Sequence, residues 1–181
     1  MNEDHVAGTG KQSVRDQALL MAAGSLEEFF RNHNEDLGRV ADIARKVRKG
    51  IQAVDPFVQQ HTSVVCAQCL NICCINRHAY YNDDDLIYIH ALGLRPHEYE
   101  HREDTEPCQF LSGEGCTLDR TVRPSGCNWY FCEPLFKSME KTAGKAYGEF
   151  DDSLQELADL WMALITEFRI TFRRITGHEI G

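Results

Sequence analysis

The chain has 181 residues, 43% of them hydrophobic, and sets 19 Lys and Arg against 28 Asp and Glu for a formal net charge of -9. That length suits one domain whose core buries about 70% of the unfolded surface, so disulfides are not needed to hold it together. The negative balance, with no long Lys/Arg run, speaks against a nucleic-acid partner, and no apolar run reaches the ~18 to 20 residues that span a bilayer.

Residues 1–12 are polar and Gly-containing and read as a flexible N-terminus. They lack the apolar stretch of a secretory signal, so the expected compartment is the reducing cytoplasm. Residues 13–181 are expected to form a single, mainly α domain. From Ser13 to Phe30 the pattern is helical, with Gly24 dividing it and Ser25-Leu26-Glu27-Glu28 reading as a capping box. Asn34 is the expected cap of the next helix. There Leu37, Val40, Ala44, Val47, Ile51, Val54 and Val58 recur at alternating spacings of three and four, a single apolar stripe. Pro56 is expected to kink or end this helix. Arg45, Lys46, Arg48 and Lys49 form its solvated side.

Asn82-Asp83-Asp84-Asp85 suits a helix N-terminus, with Leu86, Ile87, Ile89 and Leu92 following and Gly93 as the stop. Pro96 suits the first turn of a further short helix to about Arg102. Residues 103–135 read as irregular backbone, and 137–150 as a loop or short hairpin. Ser153-Leu154-Gln155-Glu156 reads as another capping box, opening a helix whose apolar face runs through Leu157, Trp161, Leu164, Ile165, Phe168, Phe172 and Ile175 to a stop at Gly177.

All eight cysteines, Cys66, Cys69, Cys73, Cys74, Cys108, Cys116, Cys127 and Cys132, lie in the middle third of the chain. In a reducing compartment such a set points to metal ligation before disulfides. Cys66-Ala-Gln-Cys69 is a C-x2-C knuckle, a spacing shared by tetrahedral zinc and iron–sulfur sites. Cys73 and Cys74 are adjacent, and neighbouring side chains diverge. They therefore serve two centres, or one of them ligates while the other packs as a small hydrophobe. Eight thiolates make two four-thiolate sites; fewer ligands make one site plus spare thiols. Gly113, Gly115, Pro124 and Gly126 shape the turns of the second half, and Arg123 is placed to offset thiolate charge, or else to form a surface ion pair. His61 and His78 are alternative ligands near the first four cysteines. His97 and His101, at i and i+4 on the expected short helix, have ligand spacing, though an exposed polar face explains them as well. Tyr80, Tyr81, Trp129, Tyr130 and Phe131 flank the cysteines and read as core that also limits water access. No P-loop, Rossmann fingerprint or nucleophile elbow is present.

The order C-x2-C-x3-C-C, C-x-F-L, C-x-L and R-P-x-x-C resembles a bacterial cysteine-cluster family described as a zinc- or iron-chelating domain. The resemblance covers Cys66 to Cys132. By its pattern Cys66, Cys69, Cys73, Cys74, Cys108, Cys116 and Cys127 are shared cysteines, Arg123-Pro124 is the shared Arg-Pro pair, and Asp85 is the acidic residue opening the following helix. Cys132 is the cysteine the pattern supports least. The Leu70-Asn71-Ile72 gap and the gap from Cys116 to Arg-Pro are each one residue longer than usual, and Asp119 and Asn128 stand where an aromatic and an Arg are common. The cysteine pattern is also similar to that of flagellin lysine N-methylase, although the chain has no glycine-rich strand-to-helix loop for a nucleotide cofactor. The resulting expectation is a helical scaffold around an irregular, cysteine-rich metal-binding region, residues 62–135. It would hold zinc, or iron as a centre such as a 4Fe-4S cluster. The role would be structural or interactive with a protein partner, with iron–sulfur electron transfer or a methylase-like enzyme as the other readings.

Overall fold

The computed structural model describes residues 25–70, 72–100, 102–142 and 144–177. The expectations for residues 1–24, for His101 and for Asn71 lie outside them. The fold is mainly α.

Helix α1 covers residues 25–32. Ser25, the first described residue, is helical, and the capping box read there borders the residues outside the described ones. A turn over 33–37 leads into α2, Gly38–Val65. The backbone N–H of Leu37 bonds to His33 and that of Ala41 to Leu37, so α2 opens at a buried Leu37 and not at Asn34, as the sequence suggested. Packing of the Leu37 side chain fixes the entry in place of a side-chain cap.

The predicted stripe is the buried face of α2: Leu37, Val40, Ala44, Val47, Ile51, Val54 and Val58 are all at most 6% exposed. Pro56 does not end the helix, which continues two more turns to Val65. A mid-helix proline costs about 3 kcal/mol through its missing N–H and its ring; burial of Val54 and Val58 on either side offsets this at about 1.5–3 kcal/mol per side chain.

Helix α3, Asp83–Ala91, opens with a complete capping box. The Asn82 side chain accepts from the Asp85 N–H at 2.9 Å and the Asp85 carboxylate accepts from the Asn82 N–H at 3.0 Å. Every residue from Asp85 to Ala91 is buried, so α3 is central. Gly93, at φ 69°, turns the chain out of it. No helix follows at Pro96, contrary to the sequence reading: the backbone there is committed to Gln109, whose side chain accepts from Glu100 N–H and donates to the Glu98 carbonyl, both at 2.8 Å.

A small hairpin, β1 Leu111–Ser112 and β2 Gly115–Cys116, pairs Leu111 with Cys116. Then come α4, Ser125–Trp129, α5, Glu133–Glu140, and α6, Lys145–Thr176. The predicted loop at 137–150 is thus the end of α5 and the first turns of α6. Leu135, Met139 and Phe150 are buried, and Phe150 stacks on Phe57 with centroids 4.5 Å apart. Ser153 caps nothing; it sits inside α6 and donates back to the Glu149 carbonyl at 2.7 Å. Gly177 does end α6, in a left-handed conformation at φ 73°.

Helices α2 and α6 run antiparallel along their lengths. Arg39 pairs with Glu167, Gly50 abuts Leu157, and Phe57 meets Phe150. The α1 aromatics close one end, with Phe30 stacked on Phe168 at 5.4 Å. The other end of α2 carries the cysteines.

Candidate metal centre

All eight cysteines stand as free thiols; Cys69, Cys108 and Cys132 are half-buried and the rest exposed. Four pieces of backbone hold them. Cys66 follows directly on α2, as its C-cap, and the Cys69 N–H bonds to the Cys66 carbonyl at 3.2 Å, closing the knuckle as a 3-10 turn. The vicinal pair leads into residues 74–77, which pair with 104–108 across an isolated bridge between Ile75 and Pro107. Cys108 N–H donates to the Cys74 carbonyl at 2.9 Å, Asn76 N–H to Glu106 at 2.8 Å and Arg77 N–H to Asp104 at 3.0 Å. This lays Cys74 beside Cys108. The Leu111 N–H then bonds back to Cys108, opening the hairpin that carries Cys116.

Cys127 lies in α4, directed by Asp85. The Asp85 carboxylate accepts the Ser125 N–H at 2.9 Å, and the Cys127 N–H bonds to Pro124 at the same distance. The Cys127 thiol reaches the His78 carbonyl at 3.7 Å. Cys132 caps the N-terminus of α5 and packs on the core. Tyr81 and Tyr88 fix the intervening 3-10 turn, Arg120–Val122, through hydroxyl bonds to the Val122 and Thr121 carbonyls at 2.6 and 3.0 Å.

The cysteines influence one another electrostatically. Burial pushes the Cys66 thiol up, and Cys73, Cys132 and Cys69 push it further. Cys73 is raised by burial and then by Cys132, and is eased by a hydrogen bond from Cys74. Cys74 is driven up to about 12 by burial, then by Cys73, Cys127, Cys66 and Cys108. Cys127 rises to about 11 through burial, Cys116 and Cys108, with Arg123 opposing. Cys108 is raised by burial and Cys116, with Arg102 opposing. Thiolates crowded this way need positive charge.

No family model, curated protein or solved structure matches the chain.

Among the described residues, no group of three or more His, Cys, Asp or Glu side chains is drawn together closely enough to hold a metal ion as it stands. Thiols are donors of a type that suits soft or borderline metals.

The histidines separate. His61 is buried, with Nδ1 at 3.0 Å from Ser138 Oγ and Nε2 at 3.2 Å from Thr142 Oγ1. Both ring nitrogens are engaged with α5 and its C-terminal turn, so His61 is a structural link between helices. His78 offers its backbone carbonyl to Cys127. His97 packs on Phe110 in non-helical backbone, so the i, i+4 spacing with His101 loses its helical basis. Of the flanking aromatics, Tyr81 is core at 1% exposure whereas Tyr130 is exposed, contrary to its reading as core.

Arg123 does bear on Cys127, and its Nε donates to the Leu118 carbonyl at 3.0 Å. Sequence reasoning missed Arg120, which is buried, pairs with Asp55 of α2, and lowers Cys66. It also missed Arg102 beside Cys108. An arginine between Cys116 and Cys127 was the available signal for Arg120.

Proposed function

We propose that the chain is a cytoplasmic metal-binding protein that coordinates zinc or an iron–sulfur centre through Cys66, Cys69, Cys73, Cys74, Cys108, Cys116, Cys127 and Cys132. The observation that carries this reading is the set of eight free thiols, with Cys69 closed onto Cys66 and Cys108 paired with Cys74 along the backbone. The resemblance to the zinc- or iron-chelating cysteine-cluster family supports it. Bound zinc would supply structural cross-linking, and an iron–sulfur centre would add one-electron chemistry. The chain's part is to present thiols, with Arg102, Arg120 and Arg123 offsetting their charge and Asp85 aiming α4.

One observation favours the electron-transfer form of this reading. Leu70, 98% exposed, and Ile72 and Tyr130, both more than half exposed, lie within three residues of Cys69, Cys73 and Cys127 in the chain. Exposed apolar side chains next to the cysteines in the chain suit a protein partner docking close to a redox centre.

Anaerobic purification with zinc, iron and acid-labile sulfide quantified per chain tests the proposal. Metal that survives dialysis is the expected result; a brown protein with sulfide assigns iron–sulfur, and a colourless one with zinc assigns zinc. Metal-free protein after both aerobic and anaerobic purification, with all thiols open to modification, would overturn it.

A further inference from the structure

We propose that the outer face of α6 pairs with the same face of a second copy of the chain, the two helices running antiparallel about a two-fold axis at Thr166. Such pairing is independent of metal binding.

The inner side of α6 is set by Leu157, Leu164 and Phe168, all buried. At 3.6 residues per turn Thr166 falls on the opposite side of the helix. Around it Asp159, Met162, Ala163, Ile170 and Arg173 are all exposed. Met162 is 65% and Ile170 59% exposed. Two large apolar side chains on the outer side of an already packed helix make a second, narrow apolar stripe, flanked here by charge.

The order of that stripe is self-complementary. Asp159, Met162, Thr166, Ile170 and Arg173 follow one another at spacings of three, four, four and three. Met162 and Ile170 therefore lie equally far from Thr166, about 40° to either side of it around the helix, and Asp159 and Arg173 lie equally far beyond them. A two-fold axis through Thr166 sets Met162 level with the second copy's Ile170, and Asp159 level with the second copy's Arg173, each contact occurring twice. A parallel pairing in register would set Asp159 against Asp159 and Arg173 against Arg173. The charges thus select the antiparallel arrangement, the role that charge pairs at the rim of an interface fulfil.

The neighbouring side chains leave room for this contact. Asp159 accepts from Gln155 Nε2 at 3.3 Å, a long bond to a neutral amide, and keeps its full charge. Arg169 leans toward its own α3, 3.9 Å from Asp84. The residue level with it on the second copy is Ala163, whose small side chain lets the helices approach. From Asp159 to Arg173 the stripe is about 21 Å long. That length places the interface at the small end of specific contacts, so the dimer dissociates on dilution.

The test is sedimentation velocity of the full chain over a wide dilution series, under reducing conditions that exclude disulfide-linked pairs. The wild type should shift from one chain at the dilute end to two at the concentrated end. Ile170→Glu should remain a single chain throughout. Asp159→Arg sets two arginines against each other and should also lose the dimer. Asp159→Arg combined with Arg173→Asp restores the pair with its signs exchanged and should regain it. Helical circular dichroism and metal content per chain should be unchanged in every variant. A wild type that stays a single chain at all concentrations overturns the proposal and leaves this face to a different protein. A dimer that survives Ile170→Glu, or a double variant that pairs no better than Asp159→Arg alone, overturns the antiparallel pairing. Neither result touches metal binding.

Discussion

The Asp85 carboxylate accepts the Ser125 backbone N–H at 2.9 Å, tying the N-terminus of α3 to that of α4 across 40 residues. Its other oxygen accepts from Asn82 N–H, so one buried side chain both caps α3 and sets α4, and with it Cys127. Burial pushes the Asp85 carboxyl up, while the Asn82 and Ser125 hydrogen bonds hold it down. Removing it leaves two buried N–H groups unpaired, at about 1–3 kcal/mol each. Asp85→Ala should therefore lower the thermal midpoint by several degrees, at about 2–4 °C per kcal/mol for a chain of this size, and weaken metal retention together with it. Loss of metal with an unchanged melting point would show that Asp85 acts otherwise than as this tether.

Arg120 is 6% exposed and its guanidinium pairs with Asp55 on α2, locking the 3-10 turn before α4 against the scaffold. Breaking a buried pair by removing one partner leaves the other uncompensated, at about 3–5 kcal/mol when both are buried. Asp55 is half-exposed, so Asp55→Ala should cost about 1–3 kcal/mol after solvent screening. Chemical denaturation of Asp55→Ala would measure it. A change within experimental error would mean that solvent already satisfies Arg120.

His61 separates a structural histidine from a ligand. With both ring nitrogens bonded to Ser138 and Thr142, His61→Phe should destabilise the protein by about 1–3 kcal/mol and leave the metal content per chain unchanged. A specific loss of metal from a well-folded His61→Phe variant would reinstate it as a ligand.

The metal-free protein should lose stability as pH rises. Burial and neighbouring thiols raise Cys74 to about 12 and Cys127 to about 11. A raised folded-state pKa contributes stability that is present below the ordinary thiol range and is lost as pH climbs through the folded value. Urea midpoints of the apo protein should therefore fall between the ordinary thiol range, near 8.5, and about 12. An apo protein that is stabilised over this range would contradict the neighbour relations described here.

What the sequence disclosed follows from how local each signal is. The α2 stripe and the acidic start of α3 depend on residues close in sequence, and both were legible, although the reciprocal capping box at Asn82 and Asp85 was not read there. The capping-box pattern at Ser153 misled, because Phe150 stacking on Phe57 extends α6 upstream of it. Pro96 misled for a similar reason: Gln109 captures the backbone that a helix would have used. The eight cysteines were legible as a set, and the vicinal pair already posed the choice between one centre and two. Their placement was not legible, because it depends on residues 74–77 pairing with 104–108 and on α5 docking at His61, both contacts between distant segments.

The most direct test of thiolate metal binding is X-ray absorption at the metal edge of the anaerobically purified protein. The expected spectrum is a first shell of sulfur alone, at about 2.3 Å for zinc. A shell dominated by nitrogen or oxygen would contradict the central role given to Cys66, Cys69, Cys73, Cys74, Cys108, Cys116, Cys127 and Cys132.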